Sequence, residues 1–351
     1  MTNHPIDPIL NAKVKKNLLW VSIFSMMMIF AGLTSAYVVS KGSEFWVQVK
    51  MPQAFNISTI LVILSSVSLF FAGIFIRKNS FGTVKLLLGI SLVLGISFGY
   101  LQVLGWKNLF ERGNTVSDHI INQNGRYGQY YSLTYQGKEI SFNNSEFFWS
   151  GDVVSDDLKL KMIDFCKKLM DGAIYTNKNN EYQLNNYGTE FVLKYENQLI
   201  TYSDNKLVLN GSPLSATHND RLWKFAESIV NGRGDFMMTG KYGEDFTIYY
   251  KGVPLEYENR NFYLNGKKLS AKQDNDLNGS RNKSSSYIYV FTFIHFLHWL
   301  GGVIALLVIF IRSLQLKYSS ENYLGIQLGS TYWHFLGILW IYLYAFLIFI
   351  H

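Results

Sequence analysis

Cysteine is nearly missing from this chain: Cys166 stands alone among 351 residues. One thiol excludes an internal disulfide, a thiolate metal cluster and a dithiol redox motif. Its neighbours Met162, Phe165 and Leu169 recur at helical spacing, so it reads as a buried, inert thiol. Charge is scarce too, at 16% of residues, and it is unevenly spread. Residues 110–285 hold 21 Lys/Arg and 22 Asp/Glu, whereas the rest of the chain holds 11 and 3. The net charge of +7 therefore belongs to short segments flanking apolar runs, where basic residues orient a membrane protein. No basic stripe with interleaved aromatics is present, which excludes a nucleic-acid surface.

Charge is missing altogether from the middle of five long apolar runs, at 18–40, 57–76, 84–104, 286–311 and 328–350. Each is long enough to span a bilayer, which takes about 20 residues of helix. A transporter or proton pump acting alone would carry a midplane charge or a broken helix, and neither is evident. The first run follows Lys13, Lys15 and Lys16 and looks like a signal peptide. It is too long for the apolar part of one and is followed by further spans, so it reads as a retained helix. With the N-terminus in the cytoplasm, that side receives Lys13, Lys15, Lys16, Arg77, Lys78, Lys85, Arg312 and Lys317. The other side receives Lys41, Lys50 and Lys107. Eight against three places the N-terminus inside, and the C-terminus and the long third connection outside.

What that connection does contain is a pattern that recurs. Tyr127-Gly128, Tyr187-Gly188 and Tyr242-Gly243 open three similar stretches. Alternating apolar residues follow each: Tyr131, Leu133, Tyr135; Phe191, Leu193, Tyr195; Phe246, Ile248, Tyr250. Such alternation is that of a half-buried strand. Gly137, Asn197 or Gly252 then suits a tight turn, and a second alternating pair begins at Ile140, Ile200 or Leu255. Gly151, Gly211 and Gly266 close the pattern. The first two stretches add a helix, on Leu158, Met162, Phe165, Leu169 and on Leu222, Phe225, Ile229. The third runs into a polar segment, 272–285, which reads as a linker. The expected fold is thus a mainly α bundle of five transmembrane helices, with an inserted α+β domain of three hairpin-containing repeats. The expected domains are 1–109, 110–285 and 286–351.

The ionisable residues inside the spans are His295 and His298 on the fourth helix and His334 on the fifth. Three readings compete for them. Haem or metal ligation needs ligands at one depth, yet helix geometry puts His295 and His334 at depths differing by something like 10 Å. No carboxylate or cysteine stands near to complete a metal site. A proton relay would need Asp or Glu partners, which are absent. Interior imidazoles hydrogen-bonded to neighbouring helices or lipid head groups fit the pattern best.

Four runs now carry a resemblance. On the fourth helix, Phe291-Thr292-Phe293-Ile294-His295-Phe296-Leu297-His298-Trp299-Leu300-Gly301-Gly302 resembles the F-x-T-G-F-H-x-x-H-V-x-x-G signature of cytochrome c oxidase subunit III. On the fifth, Tyr332-Trp333-His334-Phe335-Leu336-Gly337-Ile338-Leu339-Trp340 is similar to that family's Y-W-H-F-V-D-x-x-W. Leu101-Gln102-Val103-Leu104-Gly105-Trp106 is similar to its L-Q-x-x-E-[WY], and Phe30-Ala31-Gly32-Leu33-Thr34-Ser35-Ala36-Tyr37 to its F-x-G-L-x-x-A-Y, with Trp46 following.

The resemblance covers the membrane part and implies the five-helix form of the subunit. It implies a non-catalytic accessory role beside the catalytic subunit I and other oxidase subunits of a bacterial inner membrane. Haem and copper would then sit in the partner, with no catalytic, cofactor or metal site in this chain. Bound phospholipid, oxygen and proton access, and durability in turnover belong to the same expectation. It places His295, His298, Trp333, His334, Trp340, Gln102 and Trp106 in the bundle interior or along a lipid cleft. The family's carboxylates fall at Met26, Gly105 and Gly337, so the resemblance does not carry a direct part in proton handling over to those positions. A membrane-anchored binding or sensor protein is the alternative, but an anchor would not need the histidine motifs. For the periplasmic insertion two readings stay open: packing against a cytochrome domain or neighbouring respiratory complex, or an ornament that stabilises its own subunit.

Overall fold

The computed structural model describes residues 8–143, 146–173 and 180–351. Eight helices lie among them: α1 Pro8–Ser43, α2 Gln53–Arg77, α3 Phe81–Glu111, α4 Asp156–Ala173, α5 Ala216–Val230, α6 Ala271–Gly279, α7 Lys283–Leu314 and α8 Leu324–Phe349. Five of them, α1, α2, α3, α7 and α8, are long and apolar enough to cross a membrane. Of the described residues, 8–43, 51–111 and 284–351 form one compact unit, and 44–50 with those between 112 and 283 form the other.

Apolar surface does not drive helices together inside lipid, so close packing and interhelical hydrogen bonds must. Both are found here. Between α2 and α3, the Ser65 and Ser91 hydroxyls meet at 2.9 Å, and Ser68 Oγ donates to Leu87 O at 2.9 Å. Large rings enter where α3 has no side chain. A Cβ at Gly95 would lie 2.7 Å from the Trp333 ring, one at Gly99 2.1 Å from Trp299, and one at Gly105 2.2 Å from Phe55.

In the inserted region the described residues of each stretch run first strand, tight turn, second strand, third strand, tight turn, short strand, helix; the second strand is broken in two in the second stretch (Gln198–Leu199, Thr201–Ser203) and in the third (Val253–Pro254, Glu256–Glu258). The first strands are Tyr131–Tyr135, Phe191–Tyr195 and Phe246–Tyr250. The turns after them are Gln136-Gly137, Glu196-Asn197 and Lys251-Gly252, both residues at positive φ in every case. Such a two-residue turn matches the twist of a hairpin. The third strands are Glu146–Trp149, Lys206–Leu209 and Asn261–Leu264. A second positive-φ pair, Ser150-Gly151, Asn210-Gly211 or Asn265-Gly266, leads into the short last strand.

The opening tyrosine of each stretch bridges its hairpin. Tyr127 Oη accepts from Leu133 N at 2.9 Å and donates to Ile140 O at 2.7 Å. Tyr187 accepts from Leu193 N and donates to Ile200 O, and Tyr242 does the same with Ile248 N and Leu255 O. A phenol both donates and accepts, so it can span a ladder that has opened by one bond. Burial pushes the pKa of all three phenols up, which keeps the donor proton in place.

Helices α4 and α5 cover the paired first strands of the first two stretches. Met162, Phe165, Cys166, Leu169, Leu222, Phe225 and Ile229 join Leu133 and Leu193 in one core. Cys166 is fully buried and burial pushes its thiol pKa up, as an inert residue requires. The third stretch is not followed by a linker. Its α6 is capped by Ser270, whose Oγ accepts from Gln273 N, while the Gln273 side chain accepts from Ser270 N. This reciprocal box outweighs the low apolar content that made 272–285 read as linker.

Asp235, in the connection between α5 and the third stretch, ties distant segments together. Its buried carboxylate meets Arg126 Nε at 3.0 Å, and Arg260 and Tyr257 also bond it. Burial alone would raise its pKa. The Arg260 hydrogen bonds and the Arg126 charge outweigh that and hold the carboxyl below the usual carboxylate range.

Candidate functional site

The buried stripe of α7 contains Ile288, Phe291, Thr292, His295, Trp299, Gly302 and Leu306, a spacing of three and four that keeps one face inward. The inward residues of α8 include Trp333, Leu336, Gly337 and Trp340. Indole N–H groups must find acceptors when buried, and here four of them do so across helix boundaries. Trp299 Nε1 donates to Gly95 O at 3.0 Å, and Trp106 Nε1 to Thr292 Oγ1 at 2.9 Å. Trp333 Nε1 donates to Ser65 Oγ at 3.0 Å, and Trp340 Nε1 to Thr59 Oγ1 at 2.9 Å. These four bonds link α7 with α3 and α8 with α2.

His295 sits inside this layer, 1% exposed, between Phe98 and Trp340. Its Nε2 lies 3.1 Å from Leu336 O, and a carbonyl only accepts, so Nε2 carries the proton. Gln102, also 1% exposed, donates from Nε2 to Ser58 Oγ at 2.9 Å. His298 and His334 behave differently. His298 Nδ1 caps back on Ile294 O at 2.8 Å, and its ring lines a groove of about 790 Å³ with Met26, Gly301, Ala305, Gly329 and Tyr332. His334 Nε2 meets Ser330 Oγ at 2.9 Å and lines a groove of about 290 Å³ between α2 and α8, beside Val62, Ser66 and Gly337.

His295 and His334 do not differ in depth as the apolar run lengths suggest. α8 starts at Leu324, earlier than the apolar run at 328 suggests, which moves His334 further into the bundle. The His295 bond to Leu336 O sets that histidine level with a residue two positions from His334. Tyr332 Oη likewise donates to His298 O at 3.2 Å. The three imidazoles are kept apart by the faces they occupy: one in the interior, one on the α1 side, one on the α2 side. Among the described residues no group of three His, Cys, Asp or Glu is placed to hold a metal ion.

The positions where a carboxylate was in question are filled. Met26 is buried with Ile23 and Leu336, Gly105 faces the Phe55 ring, and a Cβ at Gly337 would meet Ser66 Oγ at 3.2 Å. What the sequence concealed are the acceptors. Thr59, Ser65 and Thr292 look like ordinary hydroxyls in apolar helices. The available signal was the tryptophans, each bringing a donor that must be satisfied.

Residues 277–351 match the family model of cytochrome c oxidase subunit III. Among curated proteins, cytochrome c oxidase subunit 3 of Hippopotamus amphibius is 36% identical over 60 residues, covering 17% of this chain and 23% of that one. The subunit 3 of Loxodonta africana is 37% identical over 59 residues (17% and 23%), and that of Anopheles quadrimaculatus 36% over 59 residues (17% and 22%). The chain thus spans less than a quarter of the length of these relatives. The matched segment holds α7 and α8, with His295, His298, Trp333, His334 and Trp340. The chain is a multi-pass membrane protein whose residues 277–351 match the family model of cytochrome c oxidase subunit III.

Proposed function

We propose that this chain is the non-catalytic subunit III of a respiratory haem–copper oxidase, packed beside the subunit that holds the haems and copper. The observation that carries the reading is where the matched segment sends its bonds. Trp299, Trp333 and Trp340 of α7 and α8 fasten onto Gly95, Ser65 and Thr59, which lie outside the match. The unmatched helices are therefore part of the same bundle and not an unrelated anchor.

In this reading the chain lends packing surface and lipid contact, and electron transfer belongs to the partner. The groove lined by α1, α7 and α8 has mostly apolar walls, with Ser22, Ser25, His298 and Tyr332 as its polar points, a lining suited to phospholipid. Support of oxygen and proton access would be indirect, since Met26, Gly105 and Gly337 carry no acid. The basic flanks favour a cytoplasmic N-terminus in a bacterial inner membrane, with residues 110–285 in the periplasm. The common element order, the paired positive-φ turns and the bridging tyrosines support the insertion as three copies of one unit. Its near-neutral balance of 21 basic and 22 acidic residues favours packing against a cytochrome domain or neighbouring respiratory complex over electrostatic steering.

Purification through an affinity tag on this chain tests the proposal. A co-purifying haem–copper subunit with an oxidase spectrum is expected, and its absence overturns the reading. Deleting 114–283 should leave that association intact, whereas a membrane-anchored sensor would lose its function with the insertion.

A further inference from the structure

The first two units pair through their first strands. Tyr131–Tyr135 lies antiparallel to Phe191–Tyr195, with Leu133 opposite Leu193. These are equivalent residues of equivalent strands, so the edge is self-complementary: one unit docks on another about a two-fold axis. The ladder extends one bond further at each end. Gln136 N donates to Glu190 O at 2.9 Å, and Glu196 N to Tyr130 O at 2.8 Å.

The third unit has no fourth unit to pair with. Its first strand, Phe246–Tyr250, is taken instead by Phe45–Val49, from the connection between α1 and α2. The register is the same: Val47 stands opposite Ile248, as Leu193 stands opposite Leu133. The end bonds are the same too, with Lys50 N donating to Asp245 O at 2.9 Å and Lys251 N to Glu44 O at 3.3 Å. Phe45, Val47 and Val49 are buried at 5%, 0% and 5% exposure, as are Tyr131 and Leu133 at the matching positions. Yet the segment 44–50 has no turn or second strand of its own, since Gln53 already begins α2.

We infer that residues 45–49 are a guard strand, closing on the third unit an edge that is built to pair with a second copy of itself. The inference rests on the reading of the insertion as three equivalent units. Exposed, complementary strand edges recruit other chains, and covering them is how folded proteins prevent it. With the guard strand displaced, Phe246–Tyr250 of two chains would pair about Ile248, as the first two units pair about Leu133 and Leu193.

Cysteine pairs in the full-length chain, in its purified complex, test this. Ile248 N–H points to Tyr242 Oη and Ile248 C=O to Leu255 N, so Val47 and Ile248 form a pair without mutual hydrogen bonds. Such partners have Cα atoms about 4.5 Å apart, within disulfide reach. Val47→Cys with Ile248→Cys should therefore give an intrachain disulfide, and Ile248→Cys alone should stay monomeric on a non-reducing gel. Gln48→Pro removes an N–H that faces Thr247 while leaving the buried side chains in place. Combined with Ile248→Cys, it should produce a covalent dimer absent from Ile248→Cys alone. As a second route, residues 45–49 replaced by Gly and Ser should give the same dimer. Hydrogen exchange at Tyr249 reports whether the edge has opened. An opened edge with no dimer in either background overturns the self-pairing. Failure of the Val47–Ile248 disulfide overturns the guard strand itself. Neither result bears on association with an oxidase, which the affinity tag reads separately.

Discussion

The helix bundle and the inserted domain put buried aromatic donors and glycines to different work. In the bundle, tryptophan supplies one donor, and each indole needs one acceptor on a neighbouring helix, such as Ser65 for Trp333. In the inserted domain, tyrosine supplies a donor and an acceptor together, and Tyr242 stitches two strands that have parted. Glycine divides in the same way. Gly99 lets a ring approach the helix backbone, while Gly137, at φ +78, makes a hairpin turn. Where water is absent a helix already satisfies its own backbone, so polar side chains are free to join helices. Where the chain builds hairpins, the ladder itself needs mending.

The largest expected effect breaks the bundle half of this contrast. Gly99→Ala puts a methyl 2.1 Å from the Trp299 ring, which is tied to Gly95 O and packed against Phe98 and Phe296. A ring so held cannot step aside, so the cost should exceed the usual overpacking figure of about 1–3 kcal/mol. Little folded chain should be recovered from membranes. Trp299→Leu in the same chain should restore it, and failure to do so would sink the steric account.

Next comes Asp235→Asn, which asks how far the inserted domain relies on a buried carboxylate, a group the described spans of the bundle lack at their midpoints. Removing one partner of a buried pair costs about 3–5 kcal/mol. Arg126 and Arg260 keep 24% and 30% of their side-chain surface in solvent, so the lower end applies. The pH dependence has a definite sign. The folded-state pKa of Asp235 lies below its unfolded value, so its contribution is complete above the ordinary carboxylate range. It is lost as the pH falls through the lowered folded value. Thermal unfolding followed into acid should show a steeper fall for the wild-type chain than for Asp235→Asn; parallel curves would dismiss the linkage.

Tyr242→Phe is a smaller change. It leaves Ile248 N and Leu255 O without the phenol, at about 1–3 kcal/mol for unsatisfied backbone groups. Hydrogen exchange should quicken at Ile248 and leave Leu133 protected. The parallel change Trp333→Phe leaves no orphaned hydroxyl, since Ser65 keeps its bond to Ser91, and its cost is the ring volume lost beside Gly95 and Gly302. It should leave backbone exchange at Ser65 slow where Tyr242→Phe quickens it at Ile248; quickened exchange at Ser65 would dissolve the contrast.

Much of this was legible beforehand, and unevenly so. The five spans follow from apolar length alone, because a bilayer reads little else. The hairpins follow from period-two alternation around turn residues that accept positive φ. What did not follow was who pairs with whom. Nothing in Phe45–Val49 announces a partner about 200 positions later, since strand pairing is non-local while its signals are local. Among the candidate residues, His295 could be read as an interior imidazole because no carboxylate or cysteine stands near it, whereas Trp333 and Trp340 were singled out only through the family resemblance. The separation of the histidines by helix face was not, because it depends on how α7 and α8 are staggered.

The smallest effect tests the point at which the local reading failed. Residues 271–279 lack the apolar stripe that α4 and α5 show, and Leu277 is the one buried residue of α6. With so little packing, the cap carries a larger share of the helix's stability than it does in α5, where Leu222, Phe225 and Ile229 are buried. Ser270→Ala removes the acceptor for Gln273 N and should cost about 1 kcal/mol. The same change at Ser215 costs a similar amount but meets a helix already held by the core. Hydrogen exchange should therefore open the whole of α6 after Ser270→Ala, and only the first turn of α5 after Ser215→Ala. If α6 keeps its protection, the helix is held by something other than its capping box.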